Sequence, residues 1–368
     1  MLKTFVQSTH RIPLFSHSYR SFYAAVLNRF VSTTRGLPAV KSVMLKGSYA
    51  RREHVPGISD IDLAIVIHDA TTYSELCELA QAIVRFKRGL VLTHCPIVGE
   101  IEVFSHADTM SPMFKSYSER FSWRVVSGDP VPFSNSPPDT PEQIWSNFGK
   151  FVFFHTVSPN FVPLHSQRHR AAGLARTLGI CEVPSDNLAA YSVLIQRFDD
   201  LLARFVSSES SYPLRFETDH IGPFTGCGKN FRKEYILVEN FEPPANAVEA
   251  ERKPGLCFPP TYVGPNAMRF VTGPFEDRRN QMWANINLET VRYQWRGSFV
   301  NNVSANEGFL ARSTFVDLVR LLCTLKMNPL VPTDEFSVPD LPPKDAVLQR
   351  EDFQSIYEIF ESIQYPST

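Results

Sequence analysis

Several features that would place a chain in a special class are missing from these 368 residues. No apolar run is long enough to cross a bilayer, so we expect no membrane-spanning segment. The six cysteines are scattered and include no Cys-x-x-Cys pair, which argues against a zinc site and indicates reduced thiols inside the cell. The sequence therefore predicts a cytoplasmic globular protein.

An excess of one charge is also missing. Lysine and arginine number 37 and aspartate and glutamate 38, so the net charge is −1. Proteins that hold a long nucleic acid usually carry a basic surface. The balance therefore argues against a long nucleic acid as substrate, although a short one remains compatible because charge can be segregated locally.

Acidic residues are absent from the start of the chain, where the first is Glu53. Basic residues recur there among serine and phenylalanine, a composition typical of an organelle transit peptide. The competing interpretation is a first helix over residues 19–31, with Phe22, Val26, Leu27 and Phe30 on one face. We expect the helix, and organelle targeting stays open as the alternative.

The order of apolar runs indicates an α/β (α+β) fold. Strands are predicted around residues 43–45, 60–67 and 96–104, with a helix over Ser74–Arg88 between the last two. Such alternation implies a small mixed sheet with helices packed on it. A Pro/Ser-rich stretch at 134–141 predicts a domain boundary.

Four regions follow from this boundary. We expect an N-terminal domain over 1–135, a helical domain over 142–207, an irregular segment containing β-strands over 208–300, and C-terminal helices over 301–368. Within the last two regions, strands are predicted at 235–238 and 268–271 and helices at 309–325 and 352–363.

Two aspartates stand one residue apart where the second apolar run begins. Side chains alternate along a strand, so Asp60 and Asp62 project from the same face with attachment points about 6.6 Å apart. At an effective dielectric near 20, unit charges about 4 Å apart interact by about 4 kcal/mol, so this pair favours a cation between its members. Carboxylate oxygens suit Mg²⁺.

A Gly-Ser turn precedes the aspartates and follows the first apolar run. Glycine lets a phosphate approach the backbone closely, and the first N–H groups of a helix hold phosphate oxygens. We therefore expect Gly47 and Ser48 to bind phosphate, with the Ser48 hydroxyl as a further donor. Arg51 and Arg52 follow early in the next helix; they either reach the same oxygens or are solvated surface charges.

Taken in order, Gly47, Ser48, Asp60 and Asp62 resemble the motif of the nucleotidyltransferase superfamily, which includes DNA polymerase beta and the minimal and aminoglycoside nucleotidyltransferases. The resemblance implies that residues 1–135 are a catalytic domain. It also implies ATP or another nucleoside triphosphate as substrate, two Mg²⁺ ions, and transfer of a nucleoside monophosphate to a hydroxyl with release of pyrophosphate.

The same resemblance implies a third carboxylate on a neighbouring strand. Glu102, flanked by Ile101 and Val103, is the first candidate, and Glu100 on the same face is the reserve. Its role would be to take the proton of the attacking hydroxyl and to contact a metal. Many relatives have aspartate here, so the choice between the two glutamates stays open.

The acceptor has three interpretations. Helices after the catalytic domain resemble aminoglycoside-type enzymes and favour a small-molecule acceptor. Transfer to a protein or an RNA end is the second. A catalytically silent scaffold or antitoxin-like binding protein is the third, and the intact Asp-x-Asp argues against it. The nucleobase and the oligomeric state are open.

Overall fold

The computed structural model describes ten main stretches of the chain and eight further residues. The stretches are 12–56, 59–91, 97–111, 123–131, 237–240, 256–258, 268–271, 294–301, 308–328 and 336–363 without 344; the further residues are 6, 9, 114, 288, 291, 292, 330 and 331. The predicted helical domain over 142–207 lies outside these residues.

The chain divides into two compact units. The first comprises Met1–Ser136, Arg292–Leu318 and Pro342–Glu358, and the second comprises Pro137–Val291, Val319–Leu341 and Ile359–Thr368. C-terminal segments therefore belong to the same unit as the N-terminal sheet. The four regions expected from the sequence stay a prediction.

A four-stranded sheet organises the first unit. Its elements are α1 (Pro13–Thr34), β1 (Val40–Lys46), α2 (Gly47–Ala50), β2 (Ile61–Ile67), α3 (Tyr73–Val91), β3 (Val98–Ser105) and β4 (Arg124–Gly128). The strand order is β3-β2-β1-β4; β1 runs antiparallel to β2 and β4, while β2 and β3 are parallel. The predicted mixed sheet with packed helices is confirmed.

Helices α1 and α3 pack through their apolar faces. Tyr23, Val26 and Phe30 are the buried apolar side chains of α1, and the rings of Phe30 and Phe86 meet edge to face at 5.1 Å. The predicted first helix is confirmed within a longer one, but Phe22 is 37% exposed because Tyr23 takes the buried side of that turn. Each step of four residues drifts by about 40° around a helix, so Phe22 lies at the edge of the face on which Tyr23, Val26 and Phe30 lie.

One face of the sheet carries a separate apolar cluster. Alternation along β2 directs Ala64 and Val66 to the same face as Asp62. These two pack in a cluster completed by Met44, Phe104, Phe114, Trp123 and Val131. The candidate acids therefore lie at the end of an apolar, aromatic-rich surface, which holds their strands in register.

Residues from the C-terminal part of the chain complete the first unit. Arg296 donates to Asp108 Oδ2 at 2.9 Å, and Arg292 lies 2.7 Å from Asp108 Oδ1. The Tyr357 hydroxyl donates to the Thr71 carbonyl at 2.6 Å. These contacts join the helical residues 294–301 and the last helix to the sheet.

Helices α4 (Gly308–Met327) and α5 (Arg350–Ser362) confirm the predictions over 309–325 and 352–363. In the second unit, β5 (Leu237–Asn240), β6 (Leu256–Phe258) and β7 (Met268–Val271) form an antiparallel sheet in the order β5-β7-β6. The strand expected at 268–271 is confirmed, and β5 confirms the last two residues of the one expected at 235–238, whose first two lie outside the described residues. Among the described residues, no helix has the length and apolarity needed to cross a membrane.

Candidate active site

The site begins where β1 ends and β2 starts. Lys46, the last residue of β1, is the cross-strand partner of Asp62. Gly47 follows with φ of +70°, and a Cβ there would overlap Asp62 Oδ2. Glycine is therefore required at this position both for its backbone conformation and for the close approach of the carboxylate.

A second glycine shows that the two aspartates converge. A Cβ on Gly99 of β3 would lie 2.7 Å from Asp60 Oδ2 and 3.5 Å from Asp62 Oδ1. Both carboxylates therefore face the same point of β3, although Asp60 is exposed and Asp62 is half-buried. Asp60 and Asp62, which the sequence places on one face of a strand, thus converge in the structure, while their catalytic role stays a prediction.

The loop before β2 holds Asp60 from both sides. The Tyr23 hydroxyl donates to the Ser59 carbonyl at 2.7 Å, and Val55 N–H donates to Ser59 Oγ at 2.9 Å. The Ile61 N–H donates to the Ile97 carbonyl at 2.6 Å. Because both neighbours of Asp60 are hydrogen-bonded, the backbone position of Asp60 is fixed even though its side chain is exposed.

Glu102 lies on β3 on the same face as Asp62, since its register partner is Ala64. One carboxylate oxygen, Oε1, forms an ion pair with Lys46. The other, Oε2, is buried and has no hydrogen-bond partner among the described residues. A buried acceptor without a donor costs free energy, which marks Oε2 as a candidate ligand atom.

Glu100, the reserve candidate, also lies in β3. Its side chain is outside the described part of the structure, so the choice between Glu100 and Glu102 stays a prediction. The contacts of Glu102 are those of a residue at the site.

The electrostatics of Asp62 follow from this crowding. Burial, followed by the nearby charge of Asp60, raises its pKa to about 7, and Glu102 adds to the rise. The positive charges of Lys46 and Arg51 lower the pKa of Asp62 without offsetting the increase. Near neutral pH the Asp62 carboxyl is therefore partly protonated, and a cation would release that proton.

A divalent cation fits this chemistry in its ligand types: two facing carboxylates and an unpartnered carboxylate oxygen. Within the described residues, however, no group of three or more His, Cys, Asp or Glu side chains is arranged to hold a metal ion. The Lys46 ammonium pairs with Glu102 instead. Metal ligation by Asp60, Asp62 and Glu102 stays a prediction.

The residues expected to bind phosphate lie beside the acids. Ser48 is buried in α2, a single helical turn. Arg51 pairs with Glu53 at 2.9 Å and is close enough to affect Asp62, whereas Arg52 is exposed with φ of +62°. The two arginines therefore differ: Arg51 belongs to the electrostatic surroundings of the site, and Arg52 extends into solvent.

Three aromatic rings pack around the turn α2 and the residues that follow it. Tyr49 stacks on Tyr23 with ring centroids 5.8 Å apart, and His54 lies 4.5 Å from Tyr49. Burial lowers the pKa of His54, with Arg20 adding to the decrease, and burial raises the pKa of Tyr49. The cluster links α1 to the turn that carries Ser48.

Sequence reasoning missed Lys46 and Gly99 as site residues. The signal for Lys46 was a charged residue closing an apolar strand directly before Gly47. The signal for Gly99 was a glycine inside a strand, which often marks a close approach. His54 carried no comparable local signal.

Comparison with known proteins agrees with this geometry. A family model described as a nucleotidyltransferase domain matches residues 27–113, a span that contains Gly47, Ser48, Asp60, Asp62 and Glu102. No curated protein and no solved structure matches the chain. The resemblance drawn from the Gly-Ser and Asp-x-Asp residues is thus confirmed. Residues 27–113 are therefore a nucleotidyltransferase domain, a family of enzymes that transfer phosphorus-containing groups.

Proposed function

We propose that the protein transfers a nucleoside monophosphate from ATP, or another nucleoside triphosphate, to a hydroxyl of a small-molecule acceptor, with Mg²⁺ and release of pyrophosphate. The observation that carries the proposal is the convergence of Asp60 and Asp62 next to Gly47. Burial, and after it the negative charge of Asp60, raises the pKa of Asp62.

Two cations would be held by three groups, Asp60, Asp62 and Glu102 Oε2. Bound Mg²⁺ supplies positive charge that offsets the repulsion among the acids and stabilises charge on the triphosphate and the leaving pyrophosphate. Asp62 must lose its proton to ligate, so cation affinity falls below about pH 7.

Gly47 and Ser48 are the proposed phosphate contacts. The missing Cβ of Gly47 leaves room for the Asp62 carboxylate beside the backbone, and the Ser48 hydroxyl is a donor for phosphate. Arg51 supplies positive charge nearby, since it already acts on Asp62. Arg52 is proposed as a weaker, solvent-exposed contributor.

In the reaction, the acceptor oxygen forms a bond to the α-phosphorus, and the bond from that phosphorus to the bridging oxygen breaks. Pyrophosphate leaves with the electrons of the broken bond. The hydroxyl proton passes to the Glu102 carboxylate. Positioning and fixed charge supply most of the acceleration.

The near balance of charges favours a small acceptor over a polymer. The protein should be incubated with Mg²⁺ and each labelled triphosphate, ATP, GTP, CTP or UTP, together with hydroxyl-bearing metabolites, RNA or protein. Label on a metabolite supports the proposal. Label on RNA or protein keeps the chemistry and rejects the acceptor class.

Variants test the chemistry itself. Asp60→Asn and Asp62→Asn should each lower turnover by at least about 100-fold, since each removes a charge that the transition state needs. Asp129→Asn is the matched control. Asp129 is exposed and directly follows β4, at the opposite end of the sheet from Lys46. Turnover surviving in Asp62→Asn would contradict the proposal, and a folded wild type inactive with every substrate would favour a scaffold.

A further inference from the structure

Lys46 is a cation inside the candidate metal site. Its side chain is 14% exposed, and the Glu102 side chain with which it pairs is 24% exposed. It also lies across from Asp62 in the β1–β2 ladder. A positive charge therefore already lies beside two of the candidate acids, Glu102 and Asp62.

The ammonium has a second neighbour on its other side. Lys46 Nζ lies 5.5 Å from the centroid of the Trp123 ring, within the range of a cation–π contact. Trp123 is part of the buried cluster under the site. The lysine is thus held between one carboxylate and one aromatic face.

We propose that Lys46 is a built-in counter-cation, which neutralises Glu102 and competes with a divalent cation for it. The inference rests on the proposed function, because it assigns to Glu102 the role of a ligand. Lys46 is then a positioning residue: it holds Glu102 in place, and it sets the cation concentration at which the site fills.

The physical basis is competition for the same carboxylate. A buried carboxylate needs a positive partner, and removing that partner leaves a charge that the next available cation will neutralise. Loss of the lysine charge should therefore tighten divalent cation binding. The Trp123 face offers the displaced ammonium a contact that it already makes, which lets the lysine yield without entering solvent.

Direct cation binding tests this role without relying on activity. Mn²⁺ binding to the full-length protein would be measured by electron paramagnetic resonance for wild type, Lys46→Met and Lys46→Arg. Lys46→Met should bind Mn²⁺ about three- to tenfold more tightly, whereas Lys46→Arg should bind like wild type because it keeps the charge. Lys46→Gln serves as the second neutral variant if Lys46→Met does not fold.

Two controls separate this effect from general charge removal. Lys41→Met makes the same change on β1, five residues away, near the end of the strand remote from Gly47; its Mn²⁺ affinity should stay within about twofold of wild type. Combining Lys46→Met with Glu102→Gln should abolish the gain, because the freed carboxylate no longer exists.

The outcomes are distinct for the two proposals. Wild type that binds Mn²⁺ while Lys46→Met binds it equally or more weakly overturns the counter-cation role and leaves the proposed function intact. Absence of Mn²⁺ binding in wild type and in every variant at millimolar concentration overturns both. Tighter binding in Lys46→Met that persists with Glu102→Gln also overturns the inference.

Discussion

The side-chain amide of Asn301 pairs with both backbone groups of Ile101, 200 residues earlier in the chain. Asn301 Nδ2 donates to the Ile101 carbonyl at 2.7 Å, and Asn301 Oδ1 accepts from the Ile101 N–H at 3.4 Å. Ile101 lies on β3, at the edge of the described sheet, directly before Glu102. The carboxamide therefore takes the position of a further strand and blocks an open edge.

Removal of this amide should destabilise the first unit. Asn301→Ala leaves the Ile101 groups without their partner, and Lys87, which donates to Asn301 Oδ1 at 2.6 Å, also loses an acceptor. We expect a loss of about 1–3 kcal/mol in the free energy of unfolding, measured by urea denaturation. Asn28→Ala, an exposed position on α1, is the control and should change stability by less than about 0.5 kcal/mol. Equal stability of the two variants would contradict the edge-blocking role.

Asp62→Asn should stabilise the metal-free protein at alkaline pH. The folded-state pKa of about 7 lies above the unfolded value near 4, so the native state holds more protons between these limits. The free energy of unfolding of wild type therefore falls as pH rises from about 4 to about 7 and then stays level. Asparagine does not ionise, so the Asp62→Asn variant does not lose this stability as the pH rises.

The size of the effect is on the order of 4 kcal/mol, since each tenfold difference in proton affinity between the folded and the unfolded chain corresponds to about 1.36 kcal/mol. Thermal or urea melts in chelator at pH 5 and pH 8 would measure it. The stability of Asp62→Asn relative to wild type should be greater at pH 8 than at pH 5. The same difference at both pH values would show that Asp62 has an ordinary pKa.

Gly47→Ala should remove activity and cost stability. An added Cβ would overlap the Asp62 carboxylate, and φ of +70° is strained for alanine. Gly36→Ala is a matched control, because Gly36 has φ of +95° but open space around its Cβ position. Both variants should lose about 1–2 kcal/mol of stability from backbone strain.

Gly47→Ala alone should also lower turnover and Mn²⁺ affinity by at least about tenfold, because it displaces Asp62. Nucleotide transfer and Mn²⁺ titration would be measured on both variants. If Gly36→Ala impaired the site as strongly, the close approach of Gly47 to Asp62 would not be the cause.

Tyr23→Phe should impair catalysis through the loop that holds Asp60. It removes the hydroxyl that donates to the Ser59 carbonyl at 2.7 Å, at a cost of about 1 kcal/mol in stability. Tyr19→Phe removes a hydroxyl on the same helix that is hydrogen-bonded to Thr9 at 2.7 Å, away from Asp60. Turnover should fall about tenfold in Tyr23→Phe and stay near wild type in Tyr19→Phe. Equal turnover in the two variants would remove Tyr23 from the supports of the site.

Much of the fold was predictable because its signals are local. The three- and four-residue spacing of Leu76, Leu79, Ala80 and Ile83 predicts α3, and the apolar run after Asp62 predicts β2. The Gly-Ser turn and the aspartates gave the family for the same reason, since their chemistry requires short, ordered spacing within a few dozen residues.

Contacts between distant segments have no such local signal in the sequence. Neither the pairing of Lys46 with Glu102 nor that of Asn301 with Ile101 follows from any periodicity, because each joins residues whose proximity depends on how whole elements pack. Residue types and alternation along the chain specified the strands, the helices and the acids. Which charge neutralises Glu102, and what covers the edge of its strand, depends on three-dimensional packing, since electrostatic and hydrogen-bond partners are set by distance in space.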